Sequence, residues 1–137
     1  MSVKAFIYAY RKPGLSLEDF KKHYENHAEL VKRISGEHFP LVHKRTYIAR
    51  NTVEVIPEGA SERNALTPAT VLVGKQSDFD FDAYAELTFA DQAAFQAFSA
   101  SIYAPDAAAE IAADEEKFLD KSKFGIVLLG DVIETFK

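Results

Sequence analysis

Cysteine is absent from the 137 residues. That excludes disulfides, a thiolate nucleophile, cysteine-ligated zinc and iron–sulfur clusters. Long apolar runs are absent too, and nothing approaches the ~18 residues that a membrane span requires. The opening MSVKAFIYAYRK alternates over a short stretch with no small-residue cleavage site behind it, so a cytoplasmic protein with no membrane partner is expected. Basic residues are outnumbered, 16 Lys and Arg against 21 Asp and Glu for a net charge of −5. They form no block interleaved with aromatics, so no nucleic-acid partner is expected. G-x-G-x-x-G, a P-loop and G-x-S-x-G are all missing, which removes support for a nucleotide cofactor or a serine elbow. No cofactor is expected.

What is present suits one globular domain over 1–137, with 47% hydrophobic and 27% charged residues. Val3 to Tyr10 alternates as a strand with both faces largely apolar, and Lys12-Pro13-Gly14 breaks it. Ser16 and Asp19 make a capping-box-like start. Leu17, Phe20, Tyr24, His27, Val31 and Ile34 then share one helical stripe that Gly36 ends. Leu41 to Ala49 reads as a second strand. An irregular excursion follows at about 51–80, with a short strand expected near Thr70 to Val73; a loop of that length tends to be a lid or a binding loop. Ala83 to Phe89 alternates again. A helix from about Asp91 closes at Pro105, and an Ala-rich segment from Asp106 to about Leu119 reads as a separate helix. Phe124 to Phe136 reads as a final strand, apolar on both faces.

This order is α+β and ferredoxin-like, βαββαβ with an antiparallel sheet. Helices on one face leave the other bare, and these strands are too apolar for a bare face in water. A second copy laid sheet against sheet, a dimeric α/β barrel, is the economical solution, so a homodimer is expected.

Residues able to carry chemistry fall into three groups. His27 lies on the apolar stripe of the first helix beside Tyr24, where it is either a satisfied core histidine or an acid–base group lining a cavity. His43, Arg45 and Tyr47 share one strand face, which is either a pocket wall or a solvated edge. As a wall, Arg45 would hold a carboxylate or enolate oxygen and Tyr47 would donate to a developing oxyanion. Tyr8, Tyr10, Tyr84 and Glu86 lie on two other strands, and Tyr8 meets Glu86 across the sheet if those strands are central. His23 and His27 have the i, i+4 spacing of a metal pair, but Tyr24 replaces the glutamate of H-E-x-x-H and lysines flank His23, so no metal is expected.

Three stretches carry a family resemblance. KPGLSLEDFKKHYENHAELV, Lys12 to Val31, resembles the opening motif of EthD-domain proteins. Asp82 to Phe89 with Asp91 is similar to their third strand and helix junction, and ADEEKFLD, Ala113 to Asp120, resembles their Asp-Glu-x-x-Phe segment. One departure stands out: the family often has His-Gly-Pro-Leu-Val where this chain has His27-Ala28-Glu29-Leu30-Val31. Without that proline the helix should be continuous. The resemblance implies a dimeric α/β barrel that handles small, mostly aromatic or polyketide-like molecules without a cofactor, as fungal tailoring members do. It raises His27 toward a catalytic role. It also brings in Asp114 and Glu115, although carboxylates behind an Ala-rich helix more often make surface contacts.

The expected function is a cofactor-free decarboxylase, or a dehydratase or cyclase, acting on an aromatic polyketide or phenolic acid. His27, His43 and Tyr47 are its candidate catalytic residues; Tyr8, Tyr10, Tyr24, Arg45, Tyr84 and Glu86 are candidates for holding the substrate. Two alternatives remain open: an anthrone-oxygenase type oxidoreductase that uses oxygen without a cofactor, and a non-catalytic carrier of a small ligand.

Overall fold

A computed structural model describes residues 2–137. The chain runs β1 (Val3–Ala9), α1 (Leu17–Ser35), β2 (Val42–Tyr47), β3 (Ala83–Phe89), α2 (Gln92–Tyr103), α3 (Pro105–Glu115) and β4 (Gly125–Leu128). The strands form one antiparallel sheet in the order β2-β3-β1-β4, the ferredoxin-like arrangement, with β1 and β3 at its centre.

Local chemistry explains the helices. Ser16 accepts a hydrogen bond from the Asp19 backbone N–H at 3.1 Å, so it is the N-cap of α1. Glu18 and Asp19 in the first turn and Lys32 and Arg33 in the last both complement the helix dipole. Gly36 stops the helix at φ 54, a conformation that costs glycine little. The helix is continuous through His27-Ala28-Glu29, as the missing proline implies. Asp91 caps α2 by accepting from Ala94 N–H at 2.8 Å. Pro105 separates α2 from α3, because the residue before it, Ala104, is held extended at ψ 141.

The helices cover one face of the sheet. Ala5, Ile7 and Ala9 of β1 lie opposite Leu87, Ala85 and Ala83 of β3, and all six are buried on that face. Four of them are alanines, so the sheet lies low and large aromatic side chains descend onto it. Phe20, Phe89 and Phe118 are among the largest fully buried side chains; truncating any one to alanine would cost about 3–5 kcal/mol. The core falls into two clusters. One gathers Ile7, Leu87, Phe89 and Phe98, the other Phe20, Tyr24, Phe118 and Leu119.

Two expectations about strands are corrected. The final strand stops at Leu128, not near Phe136. β4 is antiparallel to β1, with Leu128 opposite Ala5 and Leu129 N–H donating to Lys4 C=O at 2.9 Å, and the pairing stops two residues short of the start of β1. Beyond it Ile133 and Phe136 are 87% and 81% exposed. Near Thr70 to Val73 no strand forms. Ala69 makes a lone bridge to Arg50, and the Gln76 side-chain amide donates to Ala69 C=O and accepts from Ala69 N–H in place of a neighbouring strand.

The excursion is held by buried charge rather than by an apolar core. Arg50 places Nε 2.8 Å from Asp82 Oδ1 and donates to the carbonyls of Thr67, Phe79 and Phe81. Arg11 donates to Leu15 C=O, Asn64 Oδ1 and Thr67 Oγ1. Arg63 reaches Asp120 and the Arg11 carbonyl. Asn64, only 2% exposed, ties this set to Asp80 through Nδ2 at 2.8 Å. The network pins 51–80 at the end of the sheet where the central strands β1 and β3 stop and start.

Candidate functional site

A cavity of about 250 Å³ lies between the two core clusters, roofed by α1, α2 and α3 and floored by the sheet. Its walls are mostly apolar, including Ile7, Leu87, Phe98, Ile111, Phe118 and Phe124. The polar side chains that line it are Tyr24, His27, His43, Tyr103 and Glu115. Tyr103 and Ile126, both exposed, stand at its mouth. Nothing between Lys44 and Glu86 lines it, so the excursion is not its lid.

His27 is held by two elements. The α1 stripe that buries Phe20 and Tyr24 turns its ring inward, and α3 brings Asp114 and Glu115 to meet it. Asp114 Oδ2 is 2.7 Å from His27 Nδ1, and Glu115 Oε2 is 4.0 Å from Nε2. Phe118 packs against the imidazole with ring centroids 5.2 Å apart. A carboxylate accepts, so Nδ1–H is the donor of this pair and Nε2 is the atom that would act as the base in the neutral ring. Burial raises the Glu115 carboxyl above its ordinary value, against the opposing pull of His27 and Lys121. Burial also pushes the Tyr24 phenol up to about 12, so it stays protonated as an O–H donor.

His43 enters from the edge strand, between the rings of Tyr24 and Phe39. Burial first, and then the Arg45 charge, lowers it to about 4, so the ring is neutral at physiological pH. Neither ring nitrogen has a hydrogen-bond partner, and both are closed to water. A buried polar group left unsatisfied costs about 1–3 kcal/mol.

The other expected site residues are placed elsewhere. Arg45 makes a two-pronged ion pair with Glu25, both N···O distances 2.8 Å, and Tyr47 donates to the same carboxylate at 2.7 Å. The Arg45 hydrogen bonds hold the Glu25 carboxyl down at about 2. Neither Arg45 nor Tyr47 lines the cavity. Tyr8, Tyr10, Tyr84 and Glu86 occupy the opposite face of the sheet, one residue out of phase with the buried alanines. There Tyr8 lies opposite Tyr84, and Glu86 lies opposite Phe6 and Lys44, so Tyr8 and Glu86 are diagonal neighbours. Arg63 and Lys123 each lie over the Tyr10 ring, 5.4 Å from its centroid. His23 stacks on Phe118 while His27 turns to Asp114, so the two histidines serve different contacts.

Two of these contacts are not legible in the residues alone. Asp114 reads as a surface group, because its 87-residue separation from His27 leaves no local spacing to read; the family segment is the signal that points to it. Glu25 was not singled out. It sits on the face of α1 that covers β2, one residue past the buried stripe.

Fold and cavity together define a ferredoxin-like α+β protein with an apolar chamber under its helices and a carboxylate–imidazole pair in the wall. The chain belongs to the EthD family: the EthD domain matches residues 12–122. No curated protein is significantly similar to it in sequence. Among solved structures it is similar to an ethyl tert-butyl ether d (EthD) family protein of Bacillus halodurans, at 20% identity and TM-score 0.52 over 96% of this chain and 100% of that one. It is also similar to At3g17210 of Arabidopsis thaliana, at 18% identity and TM-score 0.54 over 98% and 99%. A DABB family protein of Mesorhizobium loti with a ferredoxin-like fold matches at 14% identity and TM-score 0.42 over 96% and 97%. These likenesses concern the fold. Among the described residues no helix is long and apolar enough to cross a membrane.

Proposed function

We propose that this protein is a cofactor-independent acid–base enzyme that moves a proton at the carbon beside a carbonyl in a small aromatic, polyketide-like compound. The observation that carries the reading is the 2.7 Å contact between His27 Nδ1 and Asp114 in the wall of an apolar cavity. It orients the ring, leaves Nε2 basic and steadies the imidazolium that forms on proton uptake. In the reaction Nε2 takes the α-proton, and the C–H electrons move to the carbonyl oxygen as an enolate. Tyr24, kept protonated, offers an O–H to developing oxygen charge. The enolate carbon attacks a second carbonyl and closes the ring, and the imidazolium returns the proton to the alkoxide; Nε2 then takes the remaining α-proton and passes it to the hydroxyl, which leaves as water.

Decarboxylation would use the same proton donor, but binding the carboxylate substrate is the difficulty. Arg45, the cation expected to hold it, is already paired with Glu25, and no Lys or Arg lines the cavity. Enolisation with cyclisation and dehydration is therefore the better-supported form of the lyase reading. The working unit is a homodimer. Phe6, Tyr8 and Tyr84 on the uncovered sheet face, and the exposed apolar residues after β4, lack a covering element within one chain.

The test is deuterium exchange at the methyl group of an aromatic methyl ketone in heavy water, with and without oxygen. Exchange above the buffer rate that disappears in His27→Gln and ignores oxygen is expected. Oxygen uptake would hand the protein to the oxidoreductases, and binding without exchange would make it a carrier.

A further inference from the structure

We propose that the cavity selects an uncharged phenolic ketone and rejects carboxylates of the same skeleton, with His43 as the residue that takes the ligand's hydroxyl. This deepens the acid–base reading and rests on it for taking the cavity as the working site.

The charge inventory of the walls carries the first half. The groups there that bear charge near neutral pH are His27 and Glu115, with Asp114 directly behind His27; burial keeps the His43 ring neutral and the Tyr24 phenol protonated. With a protonated imidazole the His27–Asp114 pair sums to zero, and with a neutral one to a single negative charge. Glu115 adds a negative charge or none. Arg45 is saturated by both oxygens of Glu25. Lys117 and Lys121 approach Asp114 and Glu115 at 3.3 and 3.7 Å from the solvent side, and neither lines the cavity. A carboxylate entering this space would lose its water and meet no net positive charge, because Asp114 already neutralises a His27 imidazolium.

The second half rests on His43, a cavity-lining ring with two unsatisfied nitrogens. A neutral imidazole presents one donor and one acceptor. A phenolic hydroxyl is itself both donor and acceptor, so it can satisfy either nitrogen once the ring turns an edge toward the cavity. A ligand without a hydroxyl leaves both nitrogens unpaired, so His43 discriminates for the hydroxyl while the wall charges act against the carboxylate.

The test is calorimetric titration of the purified protein, well above the carboxyl pKa, with para-hydroxyacetophenone, para-hydroxybenzoate and ethylbenzene. The ketone is expected to bind at least about tenfold more tightly than the acid, a gap of about 1.4 kcal/mol. Glu115→Gln should narrow that gap by strengthening the acid alone. His43→Phe, which keeps ring bulk and removes both nitrogens, should weaken the ketone about tenfold and leave ethylbenzene unchanged. Acid binding equal to or tighter than the ketone in the parent protein overturns the proposal, and so does failure of the ketone to bind at millimolar concentration. A ketone that binds but exchanges no deuterium sinks the acid–base reading and leaves the selectivity standing.

Discussion

His27 on α1 and Asp114 at the end of α3 are 87 residues apart in sequence and 2.7 Å apart in space, joined through Nδ1 and Oδ2. The contact depends on α3, which contributes no fully buried residue of its own. Its downstream anchor is Phe118, wholly buried, whose carbonyl accepts from Lys12 N–H at 2.8 Å. Asp114→Asn keeps the shape of the pair but removes the charge that stabilises the imidazolium. Proton exchange in this variant is expected to fall by about 10²–10⁴-fold, with ligand affinity within a few-fold of the parent. An exchange assay beside a binding titration checks it, and equal losses in both would make Asp114 a structural residue only.

His43 should give stability an acid-side slope. Its folded pKa of about 4 lies below the ordinary 6.5, so the unfolded chain takes up the proton first as pH falls. The neutral ring's contribution is fully present above about 6.5, is lost progressively down to about 4, and is flat below. Melting temperatures measured across that window should fall less steeply in His43→Phe than in the parent. Parallel slopes would place the titration on another group.

Legibility from sequence followed the reach of each interaction. α1 was readable end to end, because its cap, stripe and stop all lie within a few residues of one another: Ser16, Phe20 to His27, and Gly36. The strand pairs were readable as alternation, and the topology followed from their order. The end of β4 was not, since Val132 and Ile133 are as apolar as Ile126 and nothing in their pattern marks Leu128 as the last paired residue. Arg45 and Tyr47 shared a face as expected, but that face met Glu25 rather than a ligand; alternation tells which residues share a face and not what covers it. The same limit separated Tyr8 and Tyr84 from His27, one face of the sheet apart.

Glu25 gives a second pH dependence of opposite cause. Its folded pKa of about 2 lies below the ordinary 4.5, chiefly through the hydrogen bonds from Arg45. The stability it contributes is present above about 4.5 and disappears as pH falls toward about 2. The Glu25 side chain is 42% exposed, so water screens the pair and its contribution is about 1 kcal/mol or less. Glu25→Gln should soften the acid limb of an unfolding curve by that amount and leave ligand binding intact. A loss of several kcal/mol at neutral pH would show that the pair organises β2 as well.

Gly125 opens β4 directly opposite Tyr8, and a methyl group added there would lie 2.7 Å from the tyrosine ring. Its backbone is ordinary, so the objection to a side chain is steric. Gly125→Ala should destabilise by about 1–3 kcal/mol in a denaturant titration. Tyr8→Ala in the same chain should restore most of that loss, because the clash has a single source. A Gly125→Ala protein as stable as its parent would mean that the Tyr8 ring moves aside freely.

The same tyrosine bears on assembly. Tyr8, Phe6 and Tyr84 share the uncovered face with Val127, Val42 and Lys44, a mixed surface that alternates out of phase with the buried one. A face of this kind, joined to a tail carrying Val132, Ile133 and Phe136, is more apolar than a free sheet in water needs to be. Sedimentation velocity should give twice the chain mass. Tyr8→Glu with Val127→Glu should return the single mass, because two copies meeting across this face would bury four new carboxylates without partners. Removing the tail after Leu129 should weaken the dimer less than the face variant does, since face-to-face packing would remain. A parent protein that sediments as one chain at all concentrations would remove the homodimer and leave the helix-side cavity to work alone.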